Sequence, residues 1–195
     1  MADEINHELV ISRVFNAPKE MLWKYWSDPK LFKKWHGPKI FTCPVSQIDF
    51  RVGGKYLHCM KGTEGDFKGK EFWSTGTYIE IIPFKKIVAT DSFADKNGRV
   101  VPATYYGMED FPTEMKVTVE FEEQNGKTKM TLRHVGIEQI DDQMLEDMTQ
   151  GWNESFDKIV AALKWYLEIA SAGATLGTQL CSSWGGTCHR ILFVI

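Results

Sequence analysis

The chain has little of what would commit it to a covalently stapled or strongly charged architecture. Four cysteines among 195 residues do not make a disulfide-dependent scaffold. Cys43 and Cys59 stand alone in strand-like stretches and read as small buried hydrophobes, and the spacing of Cys181 and Cys188 establishes no pairing. A formal charge of −3 and a pI near 6.0 supply no general attraction to nucleic acid or anionic membrane. No apolar run approaches the ~18 residues of a membrane-spanning candidate, and Ile191–Ile195 at the end is far too short. Before Pro18 lie acids, two asparagines and a histidine, with no basic apolar leader, so a cytoplasmic location is expected.

Nucleotide, zinc-protease and hydrolase signatures are missing as well: no Gly-x-Gly-x-x-Gly, phosphate loop, His-Glu-x-x-His or Gly-x-Ser-x-Gly. Ser155–Lys158 fits a loose Ser-x-x-Lys without its companion motifs. Asn153-Glu154-Ser155 matches a glycosylation triplet but falls inside a predicted helix. Cys188-His189 lacks two further metal ligands. No cofactor, metal site, nucleic-acid partner or membrane insertion is expected, and the case for an enzyme is thin.

What is present is a change of hydrophobic period along the chain. His7–Phe15 reads as a strand, and Asn16-Ala17-Pro18 then opens a short helix with Leu22, Trp23 and Trp26 on its apolar side. Ser27-Asp28-Pro29 starts a second helix, marked by Leu31, Phe32 and Trp35 and ending near Gly37-Pro38. From Thr42 the period becomes two, predicting strands near 42–50, 55–61, 71–82, 85–92, 113–123 and 127–135. Gly53-Gly54 and Asn125-Gly126 supply turns. Residues 95–110 read as an irregular loop with aromatic content. In one late strand Met115, Val117, Val119 and Phe121 point one way; in the next, Met130, Leu132 and His134 share a side.

A one-sided sheet needs a cover. From about Asp141 to Glu168, Met144, Met148, Trp152, Phe156, Ile159 and Leu163 recur at steps of three and four, which keeps them on one helical face. Burying all six would contribute at most ~9–18 kcal/mol, enough to attach the helix whether it meets a solid core or a pocket. Residues 1–170 are expected to form one domain. After Ala170 the composition turns to Ser, Gly, Ala and Thr, so 171–195 reads as an appendage, packed on the domain or exchanged in a homodimer.

Taken in order, these signals resemble the activator-of-Hsp90-ATPase-homologue-1-like branch of the START-related helix-grip superfamily. Phe15–Pro18 with Trp23–Pro29 looks like the family's opening. Trp35-His36-Gly37-Pro38 resembles its Trp-Trp-Gly-Pro motif with His36 in place of the second aromatic. Asp49–Gly54 and Gly151-Trp152 match the glycine turn and the closing helix. The resemblance covers about residues 8–168. It implies an α+β helix-grip fold: a curved antiparallel sheet around a long C-terminal helix, with two short helices after the first strand.

The resemblance also implies a cavity between helix and sheet, used in relatives for lipids or other hydrophobic compounds. The expected ligand-binding residues are Met144, Met148, Trp152 and Phe156 from the helix and Val117, Val119, Met130 and Leu132 from the sheet, where a solid core explains the same pattern. His134, Tyr56, His58 and Trp73 would add polarity or enclosure. Arg51 beside the glycine turn could meet an anionic head, and Tyr105-Tyr106 with Phe111-Pro112 could form a lid. His134 with Tyr56 or Glu71 is the one acid–base set worth testing. The expected function is non-enzymatic binding of a small hydrophobic or amphipathic molecule. Stimulation of a chaperone ATPase through protein contact is second, and a cavity-based cyclase or related enzyme third.

Overall fold

The computed structural model describes residues 8–109 and 111–183, with side chains through Lys164. Seven strands, β1 (Leu9–Phe15), β2 (Phe41–Ile48), β3 (Lys55–Gly62), β4 (Glu71–Ile82), β5 (Lys86–Ala94), β6 (Met115–Gln124) and β7 (Lys127–Val135), form one antiparallel sheet in the order β1-β7-β6-β5-β4-β3-β2. The sheet curls into a half-barrel, and helix α3 (Asp142–Ser183) closes it, as the α+β helix-grip expectation requires. Asn125 and Gly126 both take positive φ, 52° and 77°, the geometry a two-residue hairpin between twisted strands demands. Val117 and His134 face each other across the β6–β7 ladder, so the alternation read in both strands resolves into one buried face.

Because β1 and β2 occupy opposite edges of the sheet, the chain between them must cross from one edge to the other. Two short helices do this, α1 (Lys19–Ser27) and α2 (Pro29–Phe32). Pro29 sits in the first turn of α2, and the Asp28 carboxylate accepts from the Lys30 amide at 2.7 Å, supplying the cap. Trp26 on α1 donates its indole N–H to Met130 Sδ on β7 (3.3 Å), and Trp35 donates to the Tyr25 carbonyl (2.8 Å). Each aromatic thereby buries its rings with its polar atom satisfied.

Helix α3 is held from two sides. Phe156, Ile159 and Leu163 are buried, the Phe156 ring meets Phe15 edge-on at 6.1 Å, and Asp157 pairs with Arg13 of β1. On the other side, Lys158 Nζ donates to the carbonyls of Gly37 and Pro38 (2.8 Å each) and Phe41 (2.6 Å). One turn earlier, Glu154 accepts from the Lys39 amide at 2.9 Å. Gly151 completes the contact: a Cβ there would stand 3.2 Å from Pro38 Cγ, so glycine permits the close approach of helix and loop.

The helix continues to Ser183, past the composition change after Ala170, because the Ala- and Leu-containing stretch still sustains helical backbone. The association expected of the last residues and the pairing of Cys181 with Cys188 lie outside the described side chains. Cys43 and Cys59 are buried free thiols. Among the described residues no helix is long and apolar enough to cross a membrane, and no cluster of three or more His, Cys, Asp or Glu could hold a metal. Replacing Lys158 with Met keeps the aliphatic stem but removes a donor from three carbonyls, of which, among the described residues, Pro38 alone keeps another, the Phe41 amide at 2.9 Å. The expected result is a loss of about 2–4 kcal/mol of stability, read as a lower urea midpoint at unchanged m-value.

Candidate functional site

Between the crossover helices, α3 and the concave sheet lies a cavity of about 70 Å³. At the ~30 Å³ that a water takes in the liquid, that is room for about two water molecules, and well below the ~300 Å³ at which drug-sized pockets begin. Trp26, Phe32 and His36 close it from the crossover and Trp152 from α3. Tyr56, His58, Ser74 and Tyr78 come from β3 and β4, with Ile87, Ala89, Asp91, Val117 and Val119 from β5 and β6.

Its polar groups form a connected column. Phe32 stacks on His58 with ring centroids 4.0 Å apart, and His58 stacks on Tyr56 at 4.6 Å. The Tyr56 hydroxyl lies 2.8 Å from Asp91 Oδ1 and 2.9 Å from the Thr90 carbonyl, and its single proton serves one acceptor at a time. Gly76, paired with Tyr56 across the ladder, makes this reach possible. A Cβ there would lie 1.9 Å from the Thr90 oxygen and 2.7 Å from the Tyr56 hydroxyl.

Burial sets the protonation of the column. Desolvation raises the Asp91 carboxyl to about 6, against the opposing pull of its hydrogen bond from Tyr56. The Tyr56 phenol is pushed up by burial and by the Asp91 charge. Burial, followed by the Lys158 charge, lowers His36 to about 3; burial lowers His58 as well, with His36 as the lesser cause. Both imidazoles are therefore neutral at physiological pH. Among the described residues, neither ring nitrogen of His36 has a hydrogen-bond partner, and Nδ1 of His58 has none.

Of the twelve residues expected at the site, the cavity brings together Trp152, Val117, Val119, Tyr56 and His58. The others line no part of it. Met130, Leu132 and Phe156 are buried in the core, while Met144 and Met148 pack against its margin. Trp73 is partly buried on β4 and donates its amide to Tyr106. His134 is buried against Trp152 with centroids 5.4 Å apart, and both its nitrogens lack partners.

The proposed pairing of His134 with Tyr56 or Glu71 does not form, since Tyr56 engages Asp91 and Glu71 pairs with Lys61 at 3.1 Å. Arg51 is exposed and pairs with Asp49 at 2.9 Å, away from the cavity lining. Tyr106 anchors its loop by donating to the Ala94 carbonyl (2.7 Å), and Phe111 packs on Phe93. Neither acts as a lid over this cavity. Asp91 is a site residue that the sequence pattern marks only weakly: it shares one side of β5 with Ile87 and Ala89, but Val88 on the other side is buried as well.

Comparison with known proteins follows from this geometry. The family model described as activator of Hsp90 ATPase homolog 1-like protein matches residues 16–164. The chain belongs to this family. A protein from Chromobacterium violaceum is similar at 26% identity and a TM-score of 0.64, over 80% of this chain and 95% of its own. One from Arthrobacter aurescens is similar at 25% identity and a TM-score of 0.68, over 84% and 90%. An AHSA1 protein from Silicibacter pomeroyi, at 24% identity and a TM-score of 0.62 over 82% and 99%, shares the fold. No curated protein matches the sequence.

Within this activator-of-Hsp90-ATPase-homologue-1-like chain, His36 stands where the resembling motif has a second aromatic. Its ring keeps the aromatic packing, 4.6 Å from Phe32, while adding two nitrogens to a cavity-lining side chain. Two outcomes follow. Tyr56→Phe removes the hydrogen bond that holds the Asp91 carboxyl down, so its midpoint should rise above about 6, as read by carbon NMR of the carboxyl. His134 is lowered from 6.5 to about 4, so between those values the unfolded chain binds more protons and stability drains away as pH falls. His134→Gln should remove up to about 3 kcal/mol of that acid loss, measured by urea unfolding across the same pH range.

Proposed function

We propose that this family member binds a small amphipathic molecule non-enzymatically in the cavity beneath Trp152. One observation carries this reading: neutral imidazoles with unfilled hydrogen-bonding capacity stand in an otherwise aromatic and aliphatic wall. Leaving a buried donor or acceptor unpaired costs about 1–3 kcal/mol, a penalty that a polar ligand head would relieve while its apolar part covers Ile87, Val117 and Val119. The cavity's size limits the deeply bound portion to a few heavy atoms. His134, Met144 and Met148 are proposed as the rim that a longer ligand would meet once Trp152 turns aside.

Native mass spectrometry of gently purified protein tests the reading. A non-covalent adduct is expected on the wild-type protein and lost from Ala89→Leu, in which the added side-chain carbons fill the cavity. An adduct retained equally by a folded Ala89→Leu protein would place the ligand elsewhere and sink the proposal. Family membership supports a second reading, co-chaperone-like contact that stimulates a chaperone ATPase. An unchanged ATP turnover on adding this protein to the chaperone would remove it.

A further inference from the structure

Resting on the binder reading, we propose that the cavity selects a small organic ammonium ion, its N–H groups on Asp91 and its carbon skeleton among Trp26, Phe32, Tyr56, Tyr78 and Trp152. The charge of the lining is the first argument. Asp91 is its one acid, and among the described residues no Lys or Arg lines the cavity. The Asp91 carboxylate has Tyr56 as its hydrogen-bond partner and, among the described residues, takes part in no ion pair. Buried acids are ordinarily paired with a cation or neutralised. The histidines of the lining, His36 and His58, are kept uncharged by burial. A cation brought by the ligand supplies the missing partner.

The rings give the second argument. Five aromatic side chains line one small volume, and a cation placed over the face of any of them is attracted to it. Desolvation strengthens that attraction, because water no longer competes. The imidazoles complete the match. A neutral ring has one nitrogen that accepts, so His36 and His58 offer acceptors to further N–H groups without repelling the charge. Lys158, whose charge reaches His36, is held outside the lining with its three donors directed at the carbonyls of Gly37, Pro38 and Phe41. A carboxylate ligand would meet the reverse of all this, with a like charge at Asp91 and aromatic faces of the wrong sign.

Three probes of one skeleton and different head charge test the inference on the unmodified protein: n-butylamine, 1-butanol and butyrate. Binding is followed by NMR through the indole N–H resonances of Trp26 and Trp152, at about pH 8, where an alkylamine is protonated and Asp91 lies above its midpoint of about 6. The amine should bind about tenfold more tightly than the alcohol, as a charge-assisted hydrogen bond exceeds a neutral one. Butyrate should show no saturable shift. In Asp91→Asn the amine should weaken about tenfold while the alcohol stays within about twofold. Butyrate binding as well as butylamine, or amine affinity unchanged in Asp91→Asn, overturns the inference. Equal binding of all three probes also overturns it but leaves the binder reading standing. If none of the three perturbs the indoles, the inference fails, and the fate of the binder reading then rests on the Ala89→Leu adduct comparison.

Discussion

The fold turns on an ammonium group with three hydrogens and three carbonyls to receive them. A sheet whose first two strands lie at opposite edges requires a long crossover, and a crossover ends in backbone that no ladder satisfies. Here the groups left over are the carbonyls of Gly37, Pro38 and Phe41 and the Lys39 amide, and α3 answers them with Lys158 and, one turn earlier, with Glu154. The apolar contacts of Phe156, Ile159 and Leu163 attach the helix but are indifferent to its axial position, since oily surfaces slide at little cost. Directional hydrogen bonds from a helix to a loop are not indifferent. They fix the height of α3 over the sheet, and with it the place of Trp152, six residues before Lys158.

The cavity is a consequence of that fixed height. On the sheet beneath, Ser74, Gly76 and Ala89 are small where their neighbours Tyr56, Tyr78 and Ile87 are large, so the inner surface is dished. Above, Trp26 and Trp152 stack with centroids 6.2 Å apart and span the hollow as a flat roof. Rigid rings cannot follow a concave floor, and close packing fails locally. The same clamp holds His36, the residue before Gly37, against Phe32 and His58. Scaffold and candidate site are therefore tied to one loop.

What the sequence made legible depended on periodicity. Strands β6 and β7 alternate so regularly that their buried faces could be assigned residue by residue, and Asn125-Gly126 marked their hairpin because its two positive φ angles suit few other residue pairs. The helix was harder. A period of 3.6 identifies the face that Met144, Met148, Trp152 and Phe156 share, but it carries no information on what each residue meets along the axis. Only Trp152 of the four lies over the hollow; Phe156 passes into the core and the methionines stay at its margin. His134 was on the buried side as read, yet the twist of the sheet carries it behind Trp152. Asp91 was hidden because Val88 between Ile87 and Ala89 is also buried, which blurs the alternation that would have set the acid on the inner face.

Asp91 is also where local stability and fold part company. An asparagine there could still accept the Tyr56 hydrogen bond, and the two residues have nearly the same shape, so neither packing nor hydrogen bonding demands a carboxylate. The carboxylate instead imposes a cost. Its midpoint is raised from 3.8 to about 6, which means that folding disfavours its charged form and that stability is lost as pH rises through that interval. Residues that work against the fold without compensation inside it concentrate where a protein acts on something else. The neutral imidazoles point the same way, since both nitrogens of His36 and Nδ1 of His58 are buried without a hydrogen-bond partner among the described residues. A hollow roofed by tryptophans, holding one unpaired acid and two unprotonated histidines, is complementary to a positive, hydrogen-bearing guest, and the energetic debts of its lining are what such a guest would cancel.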